Sequence, residues 1–94
     1  MLENTFSNSD KRVFPNPVTS SSFAVLFNGF KAGTYNIVLT DLSGRSMQSQ
    51  KATIGKGNQR ETVNLKSVKA KGMYMVKVFD EAKQVVFTEK IMIQ

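Results

Sequence analysis

Large apolar side chains recur at every second position in several short stretches of the chain, which is the spacing of a β-strand with one buried face. The clearest stretch is Thr34 to Asp41, where Tyr35, Ile37 and Leu39 share one face. Further strands are predicted at residues 11–14, 23–27, 46–54, 59–65, 72–80 and 84–94, separated by turn-forming residues. Sustained helical spacing is missing, so helix is expected at most as single turns near Lys66 to Ala70. The pattern predicts an all-β antiparallel sandwich of about seven strands.

One strand pattern occurs twice in the sequence. Residues 33–41 and 72–80 both follow the order Gly, any residue, Tyr, then two alternating aliphatic residues, and end in Asp. Period two places the tyrosine and the aliphatic residues on one face, while glycine frees the backbone before the strand and aspartate suits its exit. The alternation therefore predicts two similar hairpins. Two copies are too few for a solenoid, which needs at least three repeats.

Composition limits the chemistry that the chain can perform. Its 94 residues suit one domain, and 40% of them are hydrophobic, as expected for a folded core. The sequence contains neither His nor Cys, which excludes zinc sites of the usual kind, thiolate nucleophiles and the commonest general base. Its acidic residues near turns, Asp10, Asp41, Asp80 and Glu81, form no metal-binding motif. We therefore expect no enzyme, no metal and no cofactor.

The charge is +6, and most of the basic residues lie at or after Lys51. This balance is compatible with an acidic protein partner, with anionic lipopolysaccharide or, less readily, with nucleic acid. Lys66, Lys69 and Lys71 form a local basic cluster that either contacts an acidic receptor or simply keeps a loop solvated.

The first ten residues are polar and read as a linker ahead of a domain at residues 11–94. This segment lacks the apolar middle of a signal peptide, and the chain has no stretch that suits a membrane-spanning segment. Export would therefore need a signal elsewhere, on a longer precursor.

Four motifs occur in a characteristic order: Val13-Phe14-Pro15-Asn16-Pro17, Asp41-Leu42-Ser43-Gly44-Arg45, residues 70–78 with Gly72 and Tyr74, and Lys90-Ile91-Met92-Ile93-Gln94. Together they resemble the type A C-terminal sorting domains of the type IX secretion system. The resemblance covers nearly the whole chain, from about Val13 to Gln94.

The resemblance implies an immunoglobulin-like sandwich that acts as an address label on an exported precursor. Such a precursor passes through the periplasm, is recognised by an outer-membrane translocon and reaches the cell surface. A sortase-like attachment complex commonly cleaves the domain before its first strand, here in the polar linker, and joins the cargo to anionic lipopolysaccharide. Some members of the family retain the domain and use it to bind the attachment machinery.

The resemblance also selects candidate site residues. Recognition by the translocon or sortase would involve the following positions: Gly72, Tyr74, Lys90, Ile91, Met92, Ile93 and Gln94. The structural motif would comprise Pro15, Asn16, Pro17, Gly33, Tyr35, Asp41 and Gly44. The last strand is expected at a sheet edge, where unpaired backbone groups can bind a partner strand or a second copy of the module. The alternatives are that the edge is capped and that Tyr74 serves packing rather than contact.

Two other functions fit the composition less well. A carbohydrate-binding or adhesive accessory module would normally expose Trp or Tyr platforms, but the chain has no Trp and only two Tyr, both within strand motifs. A nucleic-acid-binding barrel would interleave basic residues with surface aromatic residues, whereas most aromatic residues here occupy positions expected to be buried.

Overall fold

The computed structural model describes residues 12–55, 57–66 and 70–94, and all of its regular structure is β. Seven strands follow one another along the chain: β1 (Val13–Phe14), β2 (Ser22–Phe27), β3 (Gly33–Asp41), β4 (Ser46–Ile54), β5 (Gln59–Asn64), β6 (Gly72–Phe79) and β7 (Val85–Ile93). The predicted all-β architecture with seven strands is confirmed. The single helical turn considered near Lys66 to Ala70 falls largely on residues 67–69, outside the described residues.

The strands form two antiparallel sheets that pack into a sandwich. One sheet has the order β1-β2-β5, and the other has the order β4-β3-β6-β7. Their inner faces meet in a core that comprises sixteen buried apolar residues among those described, including Phe27 from the first sheet and Ile37 and Leu39 from the second. The predicted inner face of β3 is therefore confirmed. Each large aliphatic or aromatic side chain buried in this way contributes roughly 1.5–3 kcal/mol to folding.

The repeated sequence pattern is also a repeated structure. Tyr35 and Tyr74 are both buried, and each hydroxyl donates a 2.7 Å hydrogen bond to the carbonyl four residues earlier, on Lys31 and Ala70 respectively. Asp41 and Asp80 each close a turn at the end of the strand by accepting backbone N–H groups. The repeat thus builds two equivalent hairpins, β3-β4 and β6-β7, as the sequence predicts.

Glutamine side chains connect the two sheets along the open side between β4 and β5. Gln48 and Gln50 project from β4, and their side-chain amides donate to the carbonyls of Asn64 and Thr62 on β5, at 2.8 and 3.0 Å. These bonds occupy backbone groups that an edge strand would otherwise present to other chains.

Candidate functional site

The last strand, β7, lies at the end of the four-stranded sheet, as expected from its position in the sequence. Its final residues alternate between the two faces of that sheet. Ile91 and Ile93 are buried in the core, Met92 is half-buried, and Lys90 is exposed on the opposite face. Side chains available to a partner at this end of β7 are therefore those of Lys90, Met92 and the exposed Gln94.

A short segment at the start of the domain covers the outer backbone edge of β7. The Asn16 side chain donates to the carbonyl of Lys90 and accepts from the N–H of Met92, each at 3.1 Å. The N–H of Val18 donates to the carbonyl of Met92 at 2.7 Å, and its carbonyl accepts from the N–H of Gln94 at 2.8 Å. We call residues 16–18 the strap.

The strap distinguishes between the two alternatives for the edge of the sheet at Lys90 to Gln94, which were unpaired backbone groups and a capped edge. Four hydrogen bonds with Asn16 and Val18 occupy this part of the edge, so it is capped. The reason is the compact bend at Pro15 and Pro17, which brings an asparagine amide and the next free N–H alongside β7. Among the described residues, no strand pairs with the outer side of the earlier part of β7, Val85 to Glu89.

Polar contacts also bind β7 to the residues just before β1. Glu89 interrupts the apolar inner face of β7, and its carboxylate accepts the N–H of Arg12 at 2.7 Å. The Arg12 guanidinium lies 5.3 and 5.8 Å from the ring centroids of Phe30 and Phe87, within the range of cation–π attraction.

Strand register brings Gly72 and Tyr74 next to the terminal residues. Gly72 pairs with Ile93 and Tyr74 pairs with Ile91 across the β6-β7 ladder. Tyr74 is only 6% exposed, and its hydroxyl is bonded within the chain. That bond fixes the path of the chain as it approaches β6.

The Asp41 turn lies at the same end of the sheet, because Asp41 pairs with Tyr74 in the β3-β6 ladder. Its carboxylate accepts from the Ser43 hydroxyl and from the N–H groups of Ser43 and Arg45, and it forms an ion pair with the Arg45 side chain. Gly44 adopts a φ of 94°, a left-handed conformation that glycine takes without strain. The predicted use of these residues in a turn is therefore observed.

Hydrogen bonding lowers the pKa of the Asp41 carboxyl, first through the Ser43 hydroxyl and then through the Arg45 N–H. A lowered pKa in the folded state means that the ionised carboxylate stabilises the fold above its ordinary pKa of 3.8. That contribution is lost as the pH falls through the lower folded-state value.

The four sequence motifs therefore meet at one end of the four-stranded sheet. The strap bonds to β7 at Lys90 to Gln94, β7 pairs with β6 at Gly72 and Tyr74, and β6 pairs with β3 at Asp41. We call this the motif end. Gly33 and Tyr35 occupy the equivalent positions at the start of β3, near the opposite end of the sheet, where Gly33 pairs with Ile54.

Sequence reasoning missed the strap and the glutamine connections. The strap has a recognisable signal only in the Pro-Asn-Pro motif, which predicts a bend but does not identify what Asn16 contacts. Within the described ranges, no group of three or more acidic, His or Cys residues is arranged to hold a metal ion. The same part of the chain contains no helix of sufficient length and apolarity to cross a membrane.

Comparison with protein-family models matches residues 12–94 to the family described as "Secretion system C-terminal sorting domain". The match covers every described strand and the four motifs that meet at the motif end. No curated protein and no solved structure matches the chain.

Proposed function

Because this chain belongs to the family of secretion system C-terminal sorting domains, we propose that it directs a cargo protein through the outer-membrane type IX translocon to the cell surface. In this proposal the translocon binds the folded module at the motif end. A sortase-like attachment complex then receives the cargo, cleaves before β1 and joins the cargo to anionic lipopolysaccharide. A sorting-signal family is not an enzyme family, and the module contributes binding rather than catalysis.

The observation that carries this proposal is the convergence of the four motifs. Segments near residues 16, 41, 74 and 92 are far apart in sequence, yet register and side-chain bonds bring them to one end of a single sheet. A composite surface of this kind exists only in the folded domain. A receptor that binds it would therefore distinguish folded modules from unfolded chains.

The main alternative, a carbohydrate-binding or adhesive module, lacks a supporting feature in the described residues. Aromatic platforms for sugars must expose a ring face, but Tyr35 and Tyr74 are 7% and 6% exposed and both hydroxyls are bonded within the chain. In the part of the chain that the structure describes, Phe14 is the exposed large aromatic side chain, and a single ring with no polar group is a poor sugar platform.

A deletion series in a host that has a type IX system tests which residues carry the sorting signal. A signal peptide and a reporter enzyme are fused ahead of residues 1–94, and surface exposure is measured by protease accessibility in intact cells. We expect removal of Lys90 to Gln94 to abolish display, because it deletes the last register partners of Gly72 and Tyr74. Removal of Met1 to Ser9 should leave display intact.

Thermal melting must accompany this series, because deleting the end of β7 also removes Ile91 and Ile93 from the core. Lys90→Ala changes a single exposed side chain, and Lys31→Ala is its matched control at an exposed lysine away from the motif end. If the five-residue truncation remains folded and is displayed as well as the full module, the terminal segment is not the address.

A further inference from the structure

Three lysines and three methionines share the outer face of the four-stranded sheet. Lys51, Lys77 and Lys90 lie on β4, β6 and β7, while Met73 and Met75 lie on β6 and Met92 on β7. Each alternates along its strand with buried core residues, so its side chain points away from the sandwich interior. We call these six residues the lysine face.

Strand register places the three lysines along a diagonal line. Lys90 pairs with Met75, which pairs with Thr40 on β3. Lys77 pairs with Val38, two residues earlier on β3, and Lys51 pairs with Asn36, two residues earlier again. The positive charges therefore cross the sheet obliquely from β7 to β4, with β3 lying between Lys77 and Lys51.

The described carboxylates lie outside the lysine face. Asp41, Asp80 and Glu81 lie at the turns, and Glu89 points inward, where it accepts the N–H of Arg12. Glu61 pairs with the buried Val25 in the other sheet, on the inner side. Asp80 and Glu81 border the lysine face at one corner, where both line the same cavity as Lys51 and Glu81 accepts the N–H of Thr34.

Simple solvation accounts poorly for this distribution of charge. A surface that only needs to remain soluble usually mixes lysines with acidic residues, and opposite charges across neighbouring strands stabilise a sheet. Within the described residues, the cross-strand neighbours of these lysines are uncharged, so the field of the lysines is directed outward. A surface of this kind attracts an anionic partner and accelerates its association.

The methionines favour a protein as that partner rather than a phosphate-rich glycolipid. Met73, Met75 and Met92 are half-buried, and flexible thioether side chains adapt to the contours of a protein surface. Phosphate groups are bound best by the two-pronged guanidinium of arginine. The arginines nearest the motif end are already engaged, since Arg45 pairs with Asp41 and Arg12 lies over two aromatic rings.

We propose that the lysine face docks an acidic segment of a protein component of the secretion machinery. The inference rests on the proposed sorting function and specifies how the partner contacts the end of β7. Because the strap occupies the backbone edge of Lys90 to Gln94, the partner meets β7 through the side chains of Lys90 and Met92 instead of adding a strand to it.

A triple variant that removes the three positive charges of the lysine face, Lys51→Gln with Lys77→Gln and Lys90→Gln, tests the proposal. We call it the face variant. Its matched control is Lys31→Gln with Arg60→Gln and Lys83→Gln, which removes the same charge from exposed basic residues outside both the lysine face and the Lys66–Lys71 cluster. Both variants should melt within a few degrees of the parent, because the substitutions leave the core untouched. In the reporter fusion, the face variant should lose most surface display, and the control should retain it.

A binding measurement identifies the class of partner. The isotope-labelled module is titrated with poly-L-glutamate and, separately, with lipopolysaccharide micelles, and amide shifts are followed by NMR. We expect poly-L-glutamate to shift residues of the lysine face and to bind the face variant about tenfold more weakly, the sum of three partly screened ion pairs. The control variant should bind like the parent.

Three results would overturn the inference. They are unchanged display of the face variant, equal loss in both triple variants, and shifts of the lysine face with lipopolysaccharide alone. Failure of the unmodified module to display the reporter is a separate result, which counts against the sorting function itself.

Discussion

Asn16 is the residue that joins the first motif to the last strand. Its side-chain amide satisfies one carbonyl and one N–H of β7 at once, which few side chains other than asparagine and glutamine are able to do. The sequence predicts a bend at Pro15 and Pro17 but not these bonds, because their partners lie 74 and 76 residues further along the chain. Long-range pairing of this kind leaves no local pattern.

Replacing Asn16 by alanine should loosen the end of β7 without unfolding the sandwich. Two hydrogen bonds to the backbone are lost, so we expect the free energy of unfolding to fall by about 1–2 kcal/mol. Hydrogen exchange should accelerate at the Met92 amide, whose acceptor is removed, and less at amides in the middle of β6. The exposed Asn28 provides a matched control, since Asn28→Ala should leave Met92 protected.

At the level of elements, alternation predicted the strands well because it reports burial directly. Tyr35, Ile37 and Leu39 were assigned to one face, and all three are buried. The same rule fails to order the strands within a sheet, because Lys51, Lys77 and Lys90 come together only through the register of β3, β4, β6 and β7. The fold was therefore accessible from sequence, whereas the lysine face was not.

The two tyrosines allow packing and recognition to be separated. Tyr35→Phe and Tyr74→Phe each remove one hydroxyl bonded to a carbonyl four residues earlier, and each should lower the free energy of unfolding by about 1 kcal/mol. Because both rings are buried, we expect neither variant to lose surface display beyond what its stability loss explains. A selective loss of display in Tyr74→Phe, with equal melting temperatures, would instead indicate that the Tyr74 hydroxyl contacts the receptor.

For the whole molecule, the organisation of the sandwich explains how a small domain can serve as an address. The glutamine connections close one open side, and the strap occupies part of the other. A module closed in this way resists edge-to-edge association with other chains. The motif end and the lysine face are the surfaces through which we propose that it is recognised.

Transfer of localisation tests the central claim most directly. A signal peptide and a reporter enzyme are fused to residues 1–94, and the protease-accessible fraction of the reporter is measured in intact cells with and without a functional type IX translocon. The account predicts that the reporter reaches the surface only when both the module and the translocon are present. A reporter that stays in the periplasm of translocon-competent cells, although the fused module is folded, would contradict it.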